Sequence, residues 1–177
     1  MEMAHAELIS CFERLDERAS FMFPNHKRLY LVLVGGSSLI LRNYIDRATD
    51  DIDAIMVSAE LNDLINSYGI NSNVQAYMTS FPYDFEDRLE LLWSGVLVDV
   101  FAASLEDIVI AKLCSFRDTD SEDIRSPQIT NALNWELIAA LAALGGIVQR
   151  GSLNDKDYQN FRFNYEKYVK ECKPCDS

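Results

Sequence analysis

Basic charge is in short supply: 16 Lys and Arg stand against 28 Asp and Glu, a formal charge of −12 over 177 residues. No stretch gathers Lys and Arg into a long run, which excludes a nonspecific electrostatic grip on nucleic acid. A nucleic-acid substrate would have to be held locally. No apolar run approaches the roughly 20 residues needed to span a bilayer. The opening MEMAHAELISCFERLDERAS has neither a basic start nor an uninterrupted apolar stretch, so the expectation is a cytoplasmic protein with no membrane partner. His5 and His26 are far apart and lack ligand spacing, which makes them surface residues. Cys11, Cys114, Cys172 and Cys175 are expected to be reduced in that compartment. The last two form one CxxC in the terminal KECKPCDS. With no second pair and no nearby histidine, it reads as tail rather than as a zinc site. Internal repeats and low-complexity segments are missing as well.

What is present is an ordinary globular composition, 49% apolar and 25% charged, which argues against dominant disorder. The length fits one domain, or a compact domain with a helical appendage. Leu8, Ile9, Phe12 and Leu15 fall at helical spacing, so residues 4–20 read as an amphipathic helix. The apolar, β-branched run 29–34 reads as a strand buried on both faces. Gly35-Gly36 stops it, and residues 37–45 return to helical spacing with Ser37 placed to cap the first turn. A second strand is expected over 51–57 and a short helix over 59–67, closed near Gly69. Residues 89–93 and 96–102 read as two strands joined at Ser94-Gly95 in a hairpin. From Ser104 onward three segments favour helix, the first capped by Ser104 with Asp107 three residues on.

The chemistry concentrates where glycines meet carboxylates. A strand, a GGS turn and a helix place backbone N–H groups and the Ser37 hydroxyl where an anion is favoured, and glycine lets a phosphate approach the backbone. Asp51 and Asp53 flank Ile52, so on a strand both carboxylates face one way and can share a divalent cation. The plain alternative is a solvated sheet edge, and Asp50 would point with Ile52. Asp99 sits inside the apolar VLVDVFA, where a buried carboxylate is costly unless paired, hydrogen-bonded or metal-bound. Arg42, Arg47 or Lys112 would be its structural partner. Otherwise it is a third metal ligand.

GGSSL, RATDDIDA and LVDVF together resemble the nucleotidyltransferase superfamily, in particular the small bacterial enzymes related to AbiEii-type toxins and minimal nucleotidyltransferases. The resemblance spans about residues 29–124. It implies an α+β, polymerase-beta-like fold: a mixed sheet flanked by helices, with residues 1–125 as core and 126–177 as a C-terminal helical region packed on it. By the same resemblance Gly35, Gly36 and Ser37 form the nucleotide turn, and Arg47 and Thr49 match an element just before the paired carboxylates. Asp51, Asp53 and Asp99 would be metal ligands. EDIVIAKLCSFRDTDSEDI is similar to a helix of that branch carrying a lysine and spaced aspartates, so Lys112 would be catalytic and Asp123 nucleotide-binding. Arg117 and Asp120 fit a solvated helix face equally well. The resemblance further implies Mg²⁺, with Mn²⁺ as a substitute, and an NTP donor. The acceptor would be an RNA end such as tRNA, a protein hydroxyl or an antibiotic. An antitoxin is implied as partner, and a catalytically silent binding protein of the same fold is the competing expectation.

Overall fold

The computed structural model describes residues 3–74, 78–115, 117–143 and 153–174. The chain divides into two compact units, Met1–Gln75 with Leu89–Ala103, and Ala76–Arg88 with Ser104–Ser177. The division therefore falls at residue 103 rather than 125, and residues 76–88 join the second unit.

The first unit is built on a five-stranded mixed sheet. Its strands are β1 (Leu29–Val34), β2 (Ile52–Ile55), β3 (Ile70–Asn71), β4 (Glu90–Ser94) and β5 (Val98–Ala102), in the order β3-β2-β1-β5-β4. β1 runs antiparallel to β2 and parallel to β5, β2 is parallel to β3, and β4 and β5 form the expected antiparallel hairpin. Helix α1 (His5–Met22) buries Leu8, Phe12, Leu15 and Ala19, spaced for one helical face, and packs on β5. Phe12 meets Trp93 of β4 with ring centroids 6.0 Å apart. Burial along β1 is interrupted at one residue: Tyr30 is exposed while its neighbours are buried, so one face of this strand opens to solvent near its start.

Three local features differ from the sequence reading. Helix α2 spans Gly35–Leu41, starting on the glycines themselves, because Gly35 at φ +70° turns the chain straight out of β1 into the helix. β2 is shorter than expected, ending before Met56, whose φ of +52° breaks the pleat. Residues 59–68 form three consecutive short turns, Ala59–Leu61, α3 (Asn62–Ile65) and Asn66–Tyr68, closed by left-handed Gly69.

The second unit is helical: α4 (Leu105–Leu113), α5 (Asp118–Asp123), α6 (Pro127–Ala132), α7 (Trp135–Ala142) and α8 (Asp155–Cys172). α4 packs against α5, α7 and α8, burying Ile108, Val109, Ile138 and Phe161. Ser104 caps α4 as expected, its hydroxyl accepting the Asp107 N–H at 3.1 Å. The aromatics of α8 are mainly packing groups, with Tyr168 stacked on Trp135 at 5.5 Å and its hydroxyl donating to the Ile124 carbonyl at 2.7 Å. Cys175, and with it the CxxC, lies outside the described residues. Among the described residues no helix is long and apolar enough to cross a membrane.

Candidate active site

The end of β1 brings four of the expected site residues together in the first unit. Val34 pairs with Asp53, so Asp53 stands beside the point where Gly35 turns into α2. A Cβ built on Gly35 would lie 3.8 Å from Asp53 Oδ2. The Arg47 guanidinium covers the next residue: a Cβ on Gly36 would meet Arg47 Nη2 at 2.9 Å, too close for an unmoved side chain. Both glycines therefore sit at close approaches, one to a carboxylate and one to a cation. Asp51 precedes β2 by one residue and is exposed. Two residues from Asp53, it falls on the same side of the strand path.

Thr49 and Asn71 hold the segment in place. The Thr49 hydroxyl donates to the Asp51 carbonyl at 3.1 Å and accepts the Asp51 N–H at 3.4 Å, a local turn that presents the carboxylates. The backbone of Met3 exchanges two hydrogen bonds with that of Thr49, at 2.7 and 3.0 Å, tying the N-terminal segment to the loop. On the other side, Asn71 of β3 donates from Nδ2 to Asp53 Oδ1 at 3.1 Å.

Ser37 takes no part as a free hydroxyl. It occupies the third residue of α2, is buried, and donates to the Val34 carbonyl at 3.3 Å. Because the helix begins two residues earlier than expected, the serine falls inside the first turn instead of capping it.

Asp99 also stands elsewhere. In the β1–β5 register it pairs with Tyr30, whereas Asp53 pairs with Val34, four residues further along the same strand. Paired residues share a face, so Asp99 lies on the face of Asp53 but about 13 Å away along the strands. Its partner is Arg28, a residue the sequence did not single out. Arg28 grips both carboxylate oxygens, Nε at 2.9 Å and Nη2 closer still, and Nη1 donates to the Gly95 and Val96 carbonyls at 2.8 and 2.7 Å. That guanidinium holds the Asp99 carboxyl below the usual carboxylate range. VLVDVFA resembled a strand buried on both faces, but Asp99 and Phe101 are half-buried, so the carboxylate needs no metal to be tolerated. By register, Ala103 is the β5 residue level with Val34 and Asp53, and alanine supplies no ligand.

Lys112 and Asp123 lie in the second unit as a buried ion cluster. Lys112 Nζ donates to Asp120 at 2.5 Å and to Asp123 at 2.9 Å, and Arg117 Nε reaches Asp120 at 2.8 Å. Burial alone would raise the Asp120 carboxyl, but the Lys112 charge and the hydrogen bonds from Lys112, Ser115 and Arg117 lower it further than burial raises it. Lys112, expected as a phosphate contact, thus already answers two carboxylates. A cavity of about 190 Å³ lies beside the cluster, lined among others by Lys112, Arg117, Arg125 and Lys167. Three of those cations already meet carboxylates, Arg125 through Glu171 at 3.0 Å.

Among the described residues no three His, Cys, Asp or Glu side chains gather closely enough to hold a metal ion by themselves. Asp51 and Asp53 fit the other way in which magnesium is bound, through one or two carboxylates completed by substrate phosphates and water.

A family model described as "Nucleotidyltransferase of unknown function (DUF6036)" matches residues 10–173. The chain belongs to this family. The match covers both units, and its description names no toxin branch, so the membership shown is broader than the AbiEii resemblance. The mixed sheet with its helices and the helical C-terminal region are consistent with nucleotidyltransferase architecture. No curated protein and no solved structure matches the chain.

Proposed function

We propose that this member of the family transfers a nucleoside monophosphate from an NTP to a hydroxyl acceptor at the corner formed by Gly35, Gly36, Arg47, Asp51 and Asp53. The observation that carries the reading is the adjacency of opposite requirements: two glycines under an arginine, suited to phosphate, directly beside Asp53, suited to a divalent cation. Asp51 and Asp53 would hold Mg²⁺, or Mn²⁺ in its place, jointly with the triphosphate, and the ion would neutralise phosphate charge. Arg47 binds and orients the phosphates over Gly36, and Thr49 and Met3 keep the carboxylate segment aimed. The acceptor oxygen bonds to the α-phosphorus, the bond from that phosphorus to the β-phosphate bridging oxygen breaks, pyrophosphate leaves, and the hydroxyl proton passes to solvent. An RNA end such as tRNA, or a protein hydroxyl, is the acceptor class, and pairing with an antitoxin belongs to the same proposal.

The test is incubation with α-labelled NTPs, Mg²⁺ and total RNA or protein. Label should move to an acceptor with wild type, fall at least a hundredfold with Asp53→Asn, and persist within about threefold with Asp99→Asn. Wild-type transfer by both Asp51→Asn and Asp53→Asn would overturn the assignment. A second reading, a silent binding protein of the same fold, is favoured by one observation: the strand register leaves Asp99 out and puts Ala103 level with Asp53. NTP binding with no transfer to any acceptor would select it.

A further inference from the structure

Asn71 is unusual among the side chains at this corner because both ends of its amide are committed. β3 lies parallel to β2 with Asn71 paired to Asp53. Its Oδ1 accepts the Asn73 N–H at 3.0 Å, and its Nδ2 donates to Asp53 Oδ1 at 3.1 Å. The first bond settles the second, since only the oxygen end of an amide can accept from an N–H, which leaves the NH₂ end facing the carboxylate. One oxygen of Asp53 is thereby occupied. The other, Oδ2, is the one that faces Gly35.

We propose that Asn71 is a positioning residue that makes Asp53 a one-oxygen ligand and so biases the corner toward small octahedral cations. This rests on the reading of Asp51 and Asp53 as cation ligands. Magnesium and manganese accept single carboxylate oxygens in a tight octahedron, whereas calcium takes more oxygens at longer distances and readily uses both of a carboxylate. A carboxylate with Oδ1 tied to an amide gives up the two-oxygen mode that calcium favours. Without the amide donor, Asp53 regains it. The bias works through Asp53 alone, so Asn71 need not touch the ion or the nucleotide.

The experiment is Mn²⁺ binding in the presence of a non-hydrolysable NTP, followed by electron paramagnetic resonance, with Mg²⁺ and Ca²⁺ as competing displacers. For each protein the readout is the ratio of Ca²⁺ to Mg²⁺ concentrations that displace half the Mn²⁺. Asn71→Ala should lower that ratio at least fivefold. Asn71→Asp, which keeps the shape but lacks the donor, should lower it further. A general weakening of the fold would move both concentrations together and leave the ratio unchanged, and thermal melts of both variants check folding. An unchanged ratio in a folded Asn71→Asp protein that still binds Mn²⁺ overturns the role of Asn71 while leaving the site standing. Failure of wild type to bind Mn²⁺ with nucleotide overturns both.

Discussion

Asp16 illustrates how much one side chain can organise without any sequence motif. It projects from α1, is buried, and accepts the backbone N–H groups of Val96, Leu97 and Val98, each at 2.8 Å. Three donors at the hairpin bend, left over where β4 turns into β5, are satisfied by one carboxylate from a helix 80 residues away in sequence. Replacing Asp16 with Ala would orphan all three, and hydrogen bonds to charged groups contribute about 1.5–3 kcal/mol each at most, with partial recovery by water. Asp16→Ala is expected to lose about 2–4 kcal/mol in urea unfolding, with Asp16→Asn losing less because an amide oxygen still accepts. A loss within 0.5 kcal/mol would show that water replaces the carboxylate fully. Nothing in ERLDERAS marks Asp16 as different from the acidic residues around it. Its role depends on a helix-to-hairpin approach that local spacing does not encode.

At the scale of elements, legibility followed whether a signal was local. β1 was readable because an apolar, β-branched run ended at two glycines, and the Ser104 cap because capping chemistry acts over three residues. The clustering of Gly35, Gly36, Arg47 and Asp53 was readable for a similar reason, since β1 and β2 are joined through one short helix. Asp99 was not, because its position against Asp53 is set by the β1–β5 register between strands some 60 residues apart, and a shift of four residues changes a shared site into separate ones. The hairpin makes the same point physically. Gly95 has room for no side chain: a Cβ there would fall 2.4 Å from the Asp16 carboxylate carbon. Gly95→Ala should therefore cost about 1–3 kcal/mol as overpacking. The double variant with Asp16→Ala should cost clearly less than the sum of the two singles, since the clash and the carboxylate are removed together. Strict additivity in a double-mutant cycle would mean that the hairpin and α1 do not meet through this contact.

For the whole molecule, the ionisable groups define a pH window with two edges of opposite sign. On the acid side, Arg88 holds the Asp84 carboxyl low, Arg28 does so for Asp99, and the Lys112 cluster, against its own burial, does so for Asp120. A carboxyl whose folded value lies below its unfolded value near 3.9 contributes stability above that value and loses it as pH falls through the folded value. Because Asp84, Asp99 and Arg28 are at least partly solvated, each contribution is small, and the acid edge is their sum below about pH 4. On the alkaline side the sign reverses. Burial pushes the Cys114 thiol up to about 12 from an ordinary 9.0, and burial also raises the Tyr168 phenol. These groups stay neutral in the fold while the unfolded chain releases their protons, so stability is intact below about pH 9 and drains away between there and pH 12. Urea midpoints should be flat between about pH 5 and 9 and fall on both sides. Cys114→Ala removes one of the two alkaline groups, so its midpoint, lower overall from the lost packing, should fall less steeply above pH 9 than that of wild type. Parallel alkaline limbs for the two proteins would mean that the Cys114 thiol reaches solvent in the folded state.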